Sequence, residues 1–402
     1  MLWVVGNVSG DFKKYCAAHG ITYRNFTTVS NSLDPTAIYI DVSSKQTILD
    51  SVKAAGALDV TALIVTGYEH FVLPAAWLGE YFGVPSCSEL AARQATDKLL
   101  MRTAFMAADP SITPEFSIAE SWDDIVTFME THHFPVMLKP ANLMKSLFIT
   151  KNDNLDELKA NFELLQEYLP EIYDQRHLGS PRVIVEEFLA GSMHTVAGFV
   201  DEQGTPHLLP QIVDCRTARD AGVPDSYLFS RQLPSSLSLP DQAIVLNVTD
   251  KAVRALGLQS TPIHAELMYT ADGPKVIEIG ARLGGYRPRM YDIGYGIDLY
   301  RAALDTAQGQ SVNVAVQLEK AVSFVELFPN HDGIFIGKDV SGQIEKLASF
   351  RHVSWKYKAG ERVGTAGHGY RAVAILTLAH DDLQQIERDQ QWLIDTYILP
   401  VE

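Results

Sequence analysis

The sequence predicts a multidomain α/β protein that opens with a Rossmann-like parallel sheet. Three observations predict this. The first ninety-odd residues alternate short apolar strands with helical stretches, which is the pattern of βαβ units. After about residue 180 the pattern changes to extended segments joined by turns, as in antiparallel sheets. The chain has 402 residues, 47% of them hydrophobic, enough to bury the cores of two or three domains.

LWVVG (2–6) reads as the first strand, and DFKKYCAAHG (11–20) as a helix capped by its terminal glycine. AIYID (37–41) and ALIVTG (62–67) are further strands, and PAAWLGEYFG (74–83) is a helix. The loop GNVSG lacks the G-x-G-x-x-G spacing and so gives little support to a dinucleotide site. The first domain is placed at residues 1–94. A helical stretch follows until the two prolines of DPSITPEF break it. FPVMLKP (134–140) and FITKN (148–152) read as strands, 153–180 as helical, and PRVIVEEFLAG (181–191) and HTVAGFVDEQGTPHLLPQIVD (194–214) as antiparallel strands turning at Asp201–Gly204. Segment 215–240 shows no period and is expected to be a loop, either mobile and facing substrate or simply at the surface. DQAIVLNVTDKAVRALGL (241–258) is an amphipathic helix. From about residue 311 come short strands, SFVELFP, GIFIGKD and RAVAILTLA, and a terminal helix, DDLQQIERDQQWLIDTYI.

A net charge of −16 argues against nucleic acid or an anionic membrane as partner. Cys16, Cys87 and Cys215 are odd in number and lack C-x-x-C spacing, so neither a disulfide framework nor a zinc site is indicated. The N-terminus shows no signal-peptide pattern, and no apolar stretch approaches 18 residues, so a cytoplasmic location is expected.

The most informative stretch is KVIEIGARLGG (275–285), which reads as a buried strand yet carries Glu278 and Arg282. HAELMYT (264–270) precedes it across the turn ADGP. A hairpin symmetric about Asp272 opposes Glu266 to Glu278. Alternation then puts His264, Glu266, Glu278 and Arg282 on one face, and Ala265, Leu267, Ile277, Ile279 and Ala281 on the other. Opposed like charges destabilise a hairpin unless a cation lies between them. Two carboxylates suit Mg2+, and the planar fork of Arg282 suits a phosphate oxygen. The residues alone equally allow a salt bridge between Glu278 and Arg282 with Glu266 exposed.

These elements resemble the ATP-grasp superfamily, in order along nearly the whole chain. Glu266, Glu278 and Arg282 match its acid strand followed by E-x-N-x-R, TDKLLMRTAF (96–105) its D-K-x-x-M-R element, FPVMLKPANLMKSLFIT its strand–lysine–loop, and VIVEEFLAG (183–191) its adenine hinge. The resemblance implies a Rossmann-like N-terminal domain, an ATP-grasp core of two α+β lobes over residues 95–310, and a small β-rich C-terminal lobe over 311–402. It implies ATP and Mg2+ as cofactors, with Glu266 and Glu278 as metal ligands. Lys98, Lys139, Lys145, Ser146, Glu186, Glu187, Phe188, Leu189 and His194 would bind ATP. Arg282 would contact phosphates, Arg287 and Arg289 would receive a carboxylate substrate, and Glu69 and His264 would also face substrate.

Three positions depart from the family pattern. Gly280 stands where the family has asparagine, so one magnesium ligand is missing and water would replace it. The phosphate loop NLMKSLF has no glycine, keeps Ser146 in register and offers Lys145 instead. The acid that holds ribose is replaced near Met193 and His194. The implied activity is that of a carboxylate–amine ligase working through an acyl phosphate on small-molecule, amino-acid-like substrates, with a homodimer left open. A biotin-dependent carboxylase, a nucleotide-binding scaffold with reduced catalysis and a small-molecule kinase are the alternatives.

Overall fold

The computed structural model describes residues 1–29, 37–143, 147–176, 180–225, 227–337 and 342–402. Lys145 and Ser146 of the expected phosphate loop lie outside the described residues. The N-terminal sheet contains β1 (Leu2–Val5), β2 (Tyr23–Thr27), β3 (Ala37–Tyr39) and β4 (Ala62–Ile64), all parallel in the order β3-β2-β1-β4. Helix α1 (Gly10–His19) starts where the Ser9 hydroxyl accepts from the Phe12 amide, and it ends at Gly20 with φ 64°. Helices α2 (Lys45–Ala54) and α3 (Val72–Phe82) complete the domain, α3 being preceded by a single 3-10 turn, Glu69–Phe71. The chain reverses its winding between β1 and β4. The loops leaving those strands, including Tyr68 and Glu69, therefore open at the crevice where such sheets place ligands.

Two helices lead into the second unit, α4 (Glu89–Thr96) and α5 (Lys98–Ala108). The Asp97 carboxylate caps α5 by accepting from the amides of Leu99 and Leu100. Four-residue spacing then stacks Lys98 on Arg102, and both are buried with Met101 and Phe105. An antiparallel sheet follows in the order β5-β8-β6-β7, built from β5 (Phe116–Ile118), β6 (Val136–Pro140), β7 (Thr150–Asn152) and β8 (Val183–Glu187). Helices α6 (Trp122–Met129) and α7 (Leu155–Arg176) cover it through Ile125, Phe128, Leu158, Leu165 and Leu169.

The third sheet has nine strands. It uses β9 (Gly191–Val200), β10 (Pro206–Leu208), β11 (Val213–Thr217), β12 (Leu228–Leu233), β13 (Thr261–Thr270), β14 (Gly273–Gly280), β15 (Ala321–Leu327), β17 (Phe350–Trp355) and β19 (Ala374–His380), while β16 (Gly333–Ile334) and β18 (Arg362–Val363) form a separate ribbon. The order is β14-β13-β9-β11-β12-β15-β19-β17, with β10 beside β9. Helix α8 (Leu239–Ala255) packs with α5 on one face, and α9 (Arg287–Tyr295) and α10 (Leu299–Ala307) pack on the other. Helix α11 (Leu383–Asp395) covers the far end.

One expectation changes here. Segment 215–240 is not a loop throughout, because β12 runs through it between β11 and β15. Phe229 and Ser230 are both buried, so the polar–apolar alternation that marks a half-exposed strand is absent. The β-rich C-terminal region is continuous with the core, since β15, β17 and β19 extend the same sheet.

The hairpin of β13 and β14 pairs Glu266 with Glu278, as the sequence predicts, but by another route. Its turn is tighter than symmetry about Asp272 implies, with Thr270 opposite Gly273 and Leu267 opposite Val276. A bulge at Ile277 then restores the opposition of the two acids. The core position expected for Ile277 is taken by Val276, which is fully buried.

Candidate active site

The floor of the site is one face of β9, β13 and β14. Glu266 lies opposite Glu278 on one side and Thr195 on the other, and His264 lies opposite Gly280. Both acids keep partial access to solvent, with side-chain exposures of 31% for Glu266 and 28% for Glu278. Among the described residues each has one basic side chain within 4 Å. His264 Nε2 is 3.4 Å from Glu266 Oε1, and Lys98 Nζ is 3.3 Å from Glu278 Oε2. Burial would raise the Glu266 pKa, but His264, Arg282 and Arg287 outweigh it and hold the carboxyl down at about 2. Burial alone would lower the Lys98 pKa, yet the carboxylates of Glu278 and Glu69 raise it, so the ammonium stays charged.

Beside the floor, α5 joins the smaller sheet through a buried charge triad. Glu186 accepts from Arg102 Nε at 2.9 Å and from Lys139 Nζ at 2.5 Å, while Arg102 Nη2 donates to the Ile277 carbonyl freed at the bulge, at 2.8 Å. The two cations hold the Glu186 carboxyl at about 2 against the opposing effect of burial. Burial lowers the Lys139 pKa although Glu186 opposes it. The expected hinge role of Glu186 is thereby changed. Its backbone sits inside the sheet between Phe116 and Met137, and its side chain anchors Lys139. Arg102 is the site residue that sequence reasoning passed over. Its signal was the four-residue spacing from Lys98, which puts it on the same buried face of α5.

Of the other hinge residues, Glu187 takes Lys275 Nζ at 2.5 Å and the Glu115 amide at 3.0 Å. Phe188 is exposed, with Lys151 Nζ 5.1 Å from its ring centroid, and Leu189 is half-buried. His194 does not face the site. It pairs with Leu267 on the opposite side of the sheet from Glu266 and Thr195, where Asp214 holds its Nδ1 at 2.8 Å and Ser192 Oγ its Nε2 at 2.6 Å. Its expected contact with ATP is therefore corrected. Strand alternation decides the matter, since Thr195 rather than His194 is in phase with Glu266.

Across the crevice, the turn after β4 brings Glu69 to the floor. Arg282 Nη2 donates to Glu69 Oε2 at 3.3 Å and Nη1 to the Leu283 carbonyl at 3.1 Å, so the carboxylate partner of Arg282 is Glu69 rather than Glu278. Burial pushes the Glu69 carboxyl up to about 7, against the pull of Arg282. Tyr68 is exposed and stacks with His70. His264 is also buried, which lowers its pKa and keeps the ring neutral, and its Nδ1 has no hydrogen-bond partner.

Arg287, at the start of α9, is the most unusual group. Its side chain is buried and donates from Nη2 to Thr195 Oγ1 at 2.7 Å, with sulfur contacts to Cys215 and Met290. Among the described residues no carboxylate lies within salt-bridge distance, and Nε has no partner. Gly284 makes this position possible, since a Cβ there would lie 2.6 Å from Arg287 Cγ and 2.8 Å from His264 Nδ1. A neighbouring cluster joins Arg231 to Glu326 at 2.8 Å, with the Tyr286 hydroxyl on the same carboxylate at 3.0 Å. Arg289, expected beside Arg287, instead lies over the Phe324 ring at 5.5 Å, on a different side of α9 from the acid pair.

The donor set fits Mg2+. Two carboxylates opposed across a hairpin and partly open to solvent are the hard oxygen ligands that this ion takes, and Mg2+ usually completes its shell with water and phosphate oxygens. Among the described residues no three His, Cys, Asp or Glu side chains already form a preassembled cage, as is usual for an ion bound together with a nucleotide. No helix among the described residues is long and apolar enough to cross a membrane.

Residues 132–288 match the ATP-grasp domain family. Phosphoribosylamine–glycine ligase of Methanobrevibacter smithii is 31% identical over 212 residues, 49% of this chain and 47% of that protein. Alanine–anticapsin ligase of Bacillus subtilis is 25% identical over 298 residues, 70% of this chain and 62% of that protein. The chain thus spans about half the length of the first curated relatives it matches. The crystal structure of L-amino acid ligase from Bacillus licheniformis superimposes with a TM-score of 0.81 at 15% identity, covering 100% of this chain and 98% of that one, which is a likeness of fold. The acid hairpin lies within the stretch that matches, and residues 132–288 form an ATP-grasp domain.

Proposed function

We propose that this protein is an ATP-dependent carboxylate–amine ligase that forms an amide or peptide bond through an acyl phosphate, with an amino-acid-like substrate. The observation that carries the proposal is Arg287, a buried guanidinium without a carboxylate partner beside the acid pair. Burying an unpaired charge is costly, so such a group is retained where an anion arrives to pair with it. The relatives named above as ligases support the same reading.

In the proposed reaction a carboxylate oxygen of the substrate attacks the γ-phosphorus of ATP, and the bond to the β–γ bridging oxygen breaks to release ADP. The amine nitrogen then attacks the acyl carbon, phosphate leaves, and the amine gives up a proton. Lys98, Lys139 and Arg282 hold phosphate oxygens, and Arg287 fixes the carboxylate and meets the charge that develops on it. Mg2+ held by Glu266 and Glu278 would neutralise phosphate oxygens when bound. His264, being neutral, adds no charge to the floor and orients Glu266.

The test is ADP and phosphate release over a panel of carboxylic acids and amines, with product masses measured. The ligase needs both an acid and an amine for steady turnover and forms a hydroxamate when hydroxylamine replaces the amine. A stable phosphorylated product without phosphate release, or no turnover across the panel, overturns the reading.

A further inference from the structure

The registers of the large sheet carry the floor of the site beyond the acid pair. Directly paired residues share a face, and so do residues two apart on one strand. Glu266 pairs with Thr195, Thr195 with Val213, Cys215 with Arg231 and Arg231 with Phe324, so Cys215, Arg231 and Glu326 lie on the same face as Glu266 and Thr195. Arg287 sits over the middle of that row, where it touches Thr195 of β9 and Cys215 of β11. Glu326 stands further along it on β15, with a side-chain exposure of 15%. Arg231 Nη1 and the Tyr286 hydroxyl both donate to its Oε1, at 2.8 and 3.0 Å, and among the described residues nothing donates to its Oε2. A carboxylate has lone pairs on both oxygens, so Glu326 keeps room for a further donor.

We propose that the acid activated by ATP is an α-amino acid, with its carboxylate on Arg287 and its ammonium group on Oε2 of Glu326, which makes a free α-amino group a requirement of the acyl donor. The inference rests on the ligase reading above and names the substrate class of its first step. Neighbouring strands lie about 4.8 Å apart, so a group over β9 and β11 and one over β12 and β15 are separated by about 10 Å. From guanidinium to carboxylate, an α-amino acid with one hydrogen bond at each end spans roughly 8–10 Å. The order along the row is also the one the chemistry needs. It runs from the acid pair through Arg287 to Glu326, so the reacting carboxylate lies on the phosphate side of its own amino group. Tyr286 directly precedes Arg287, and its hydrogen bond to Glu326 fixes the two receptors relative to each other.

Hydroxamate formation with hydroxylamine as acceptor tests this, because it takes the second substrate out of the measurement. Each α-amino acid of a panel is set beside the same acid without its amino group. In the parent protein kcat/KM should be higher for the amino acid by about a hundredfold or more. Glu326→Gln should lower kcat/KM for the amino acid by about a hundredfold, through KM, and leave the value for the matching des-amino acid within about threefold. The KM for ATP should stay within about twofold. Glu326→Asp keeps the charge beside Arg231 and shortens the reach, so it serves if the glutamine variant does not fold, and it should cost the amino acid alone about tenfold. Circular dichroism checks the fold of both variants. No hydroxamate from any acid overturns the ligase reading and this inference with it. Hydroxamate formed equally well from des-amino acids, or a loss in the Glu326 variants equal for both members of a pair, leaves the ligase standing and shows that Glu326 serves only as the partner of Arg231.

Discussion

Arg287 Nη2 donates to the Thr195 hydroxyl at 2.7 Å, and that neutral oxygen is what this buried guanidinium has in place of a carboxylate. The two residues come from α9 and β9 and meet on the face that also carries Glu266. Arg287→Met should lower ADP formation by about a hundredfold or more while leaving Tm unchanged or raised, because it removes a buried charge that has no carboxylate in hydrogen-bond contact. Thermal melts beside a coupled ADP assay check this, and a fall in Tm that tracks the loss of activity would count against the anion-receptor role.

Glu278 faces Glu266 across the hairpin and has Lys98 as its cation. Glu278→Gln keeps the shape and removes one of two opposed charges. ADP formation should fall by about a hundredfold or more with the fold intact. Turnover equal to that of the parent protein would remove Glu278 from the metal site.

The triad of Arg102, Lys139 and Glu186 should be a determinant of stability as well as of the position of Lys139. Glu186→Gln leaves two buried cations without their acid and should cost about 3–5 kcal/mol in denaturant unfolding. The pH dependence follows from the depressed carboxyl, which lies near 2 in the fold against an ordinary 4.5. Its stabilisation is complete above about 4.5 and is lost as pH falls from there towards 2. Unfolding measured across that window should be steeper for the parent protein than for Glu186→Gln.

His194 supplies a control on the back of the sheet. His194→Gln disturbs the chain from Ser192 to Asp214 and should reduce stability by about 1–2 kcal/mol. The KM for ATP should stay within about twofold of the parent value. A larger rise in KM would place His194 in the nucleotide site after all.

The acid hairpin was legible because alternation along two strands and one turn signal suffice to oppose Glu266 and Glu278. The bulge at Ile277 was not, since nothing local to the residue distinguishes it. Its cause is remote, in the Arg102 side chain that takes the freed carbonyl. Lys98 and Lys139 were singled out through the resemblance of their segments to family elements, and the acid that holds Lys139 belongs to a segment read the same way as a nucleotide hinge. The strand β12 was hidden because burial of Phe229 and Ser230 together erases the period that marks a half-exposed strand. The meeting of Glu69 with Gly280 depends on how the turn after β4 docks against the β13–β14 hairpin, and no pattern within either segment encodes it.

The ladder between β12 and β15 pairs Ser230 with Val325, Arg231 with Phe324, Gln232 with Ser323 and Leu233 with Val322. A chain ending at residue 310 would therefore leave β12 as a raw edge, open to pairing with other chains, and would strip Arg231 and Tyr286 of Glu326. Exchange of C-terminal segments between relatives would have to reseal a row of hydrogen bonds instead of splicing a tether. On this account natural variation near residue 310 should be inherited in blocks that run from β12 through β19, and insertions that alter specificity should fall in the connections between strands.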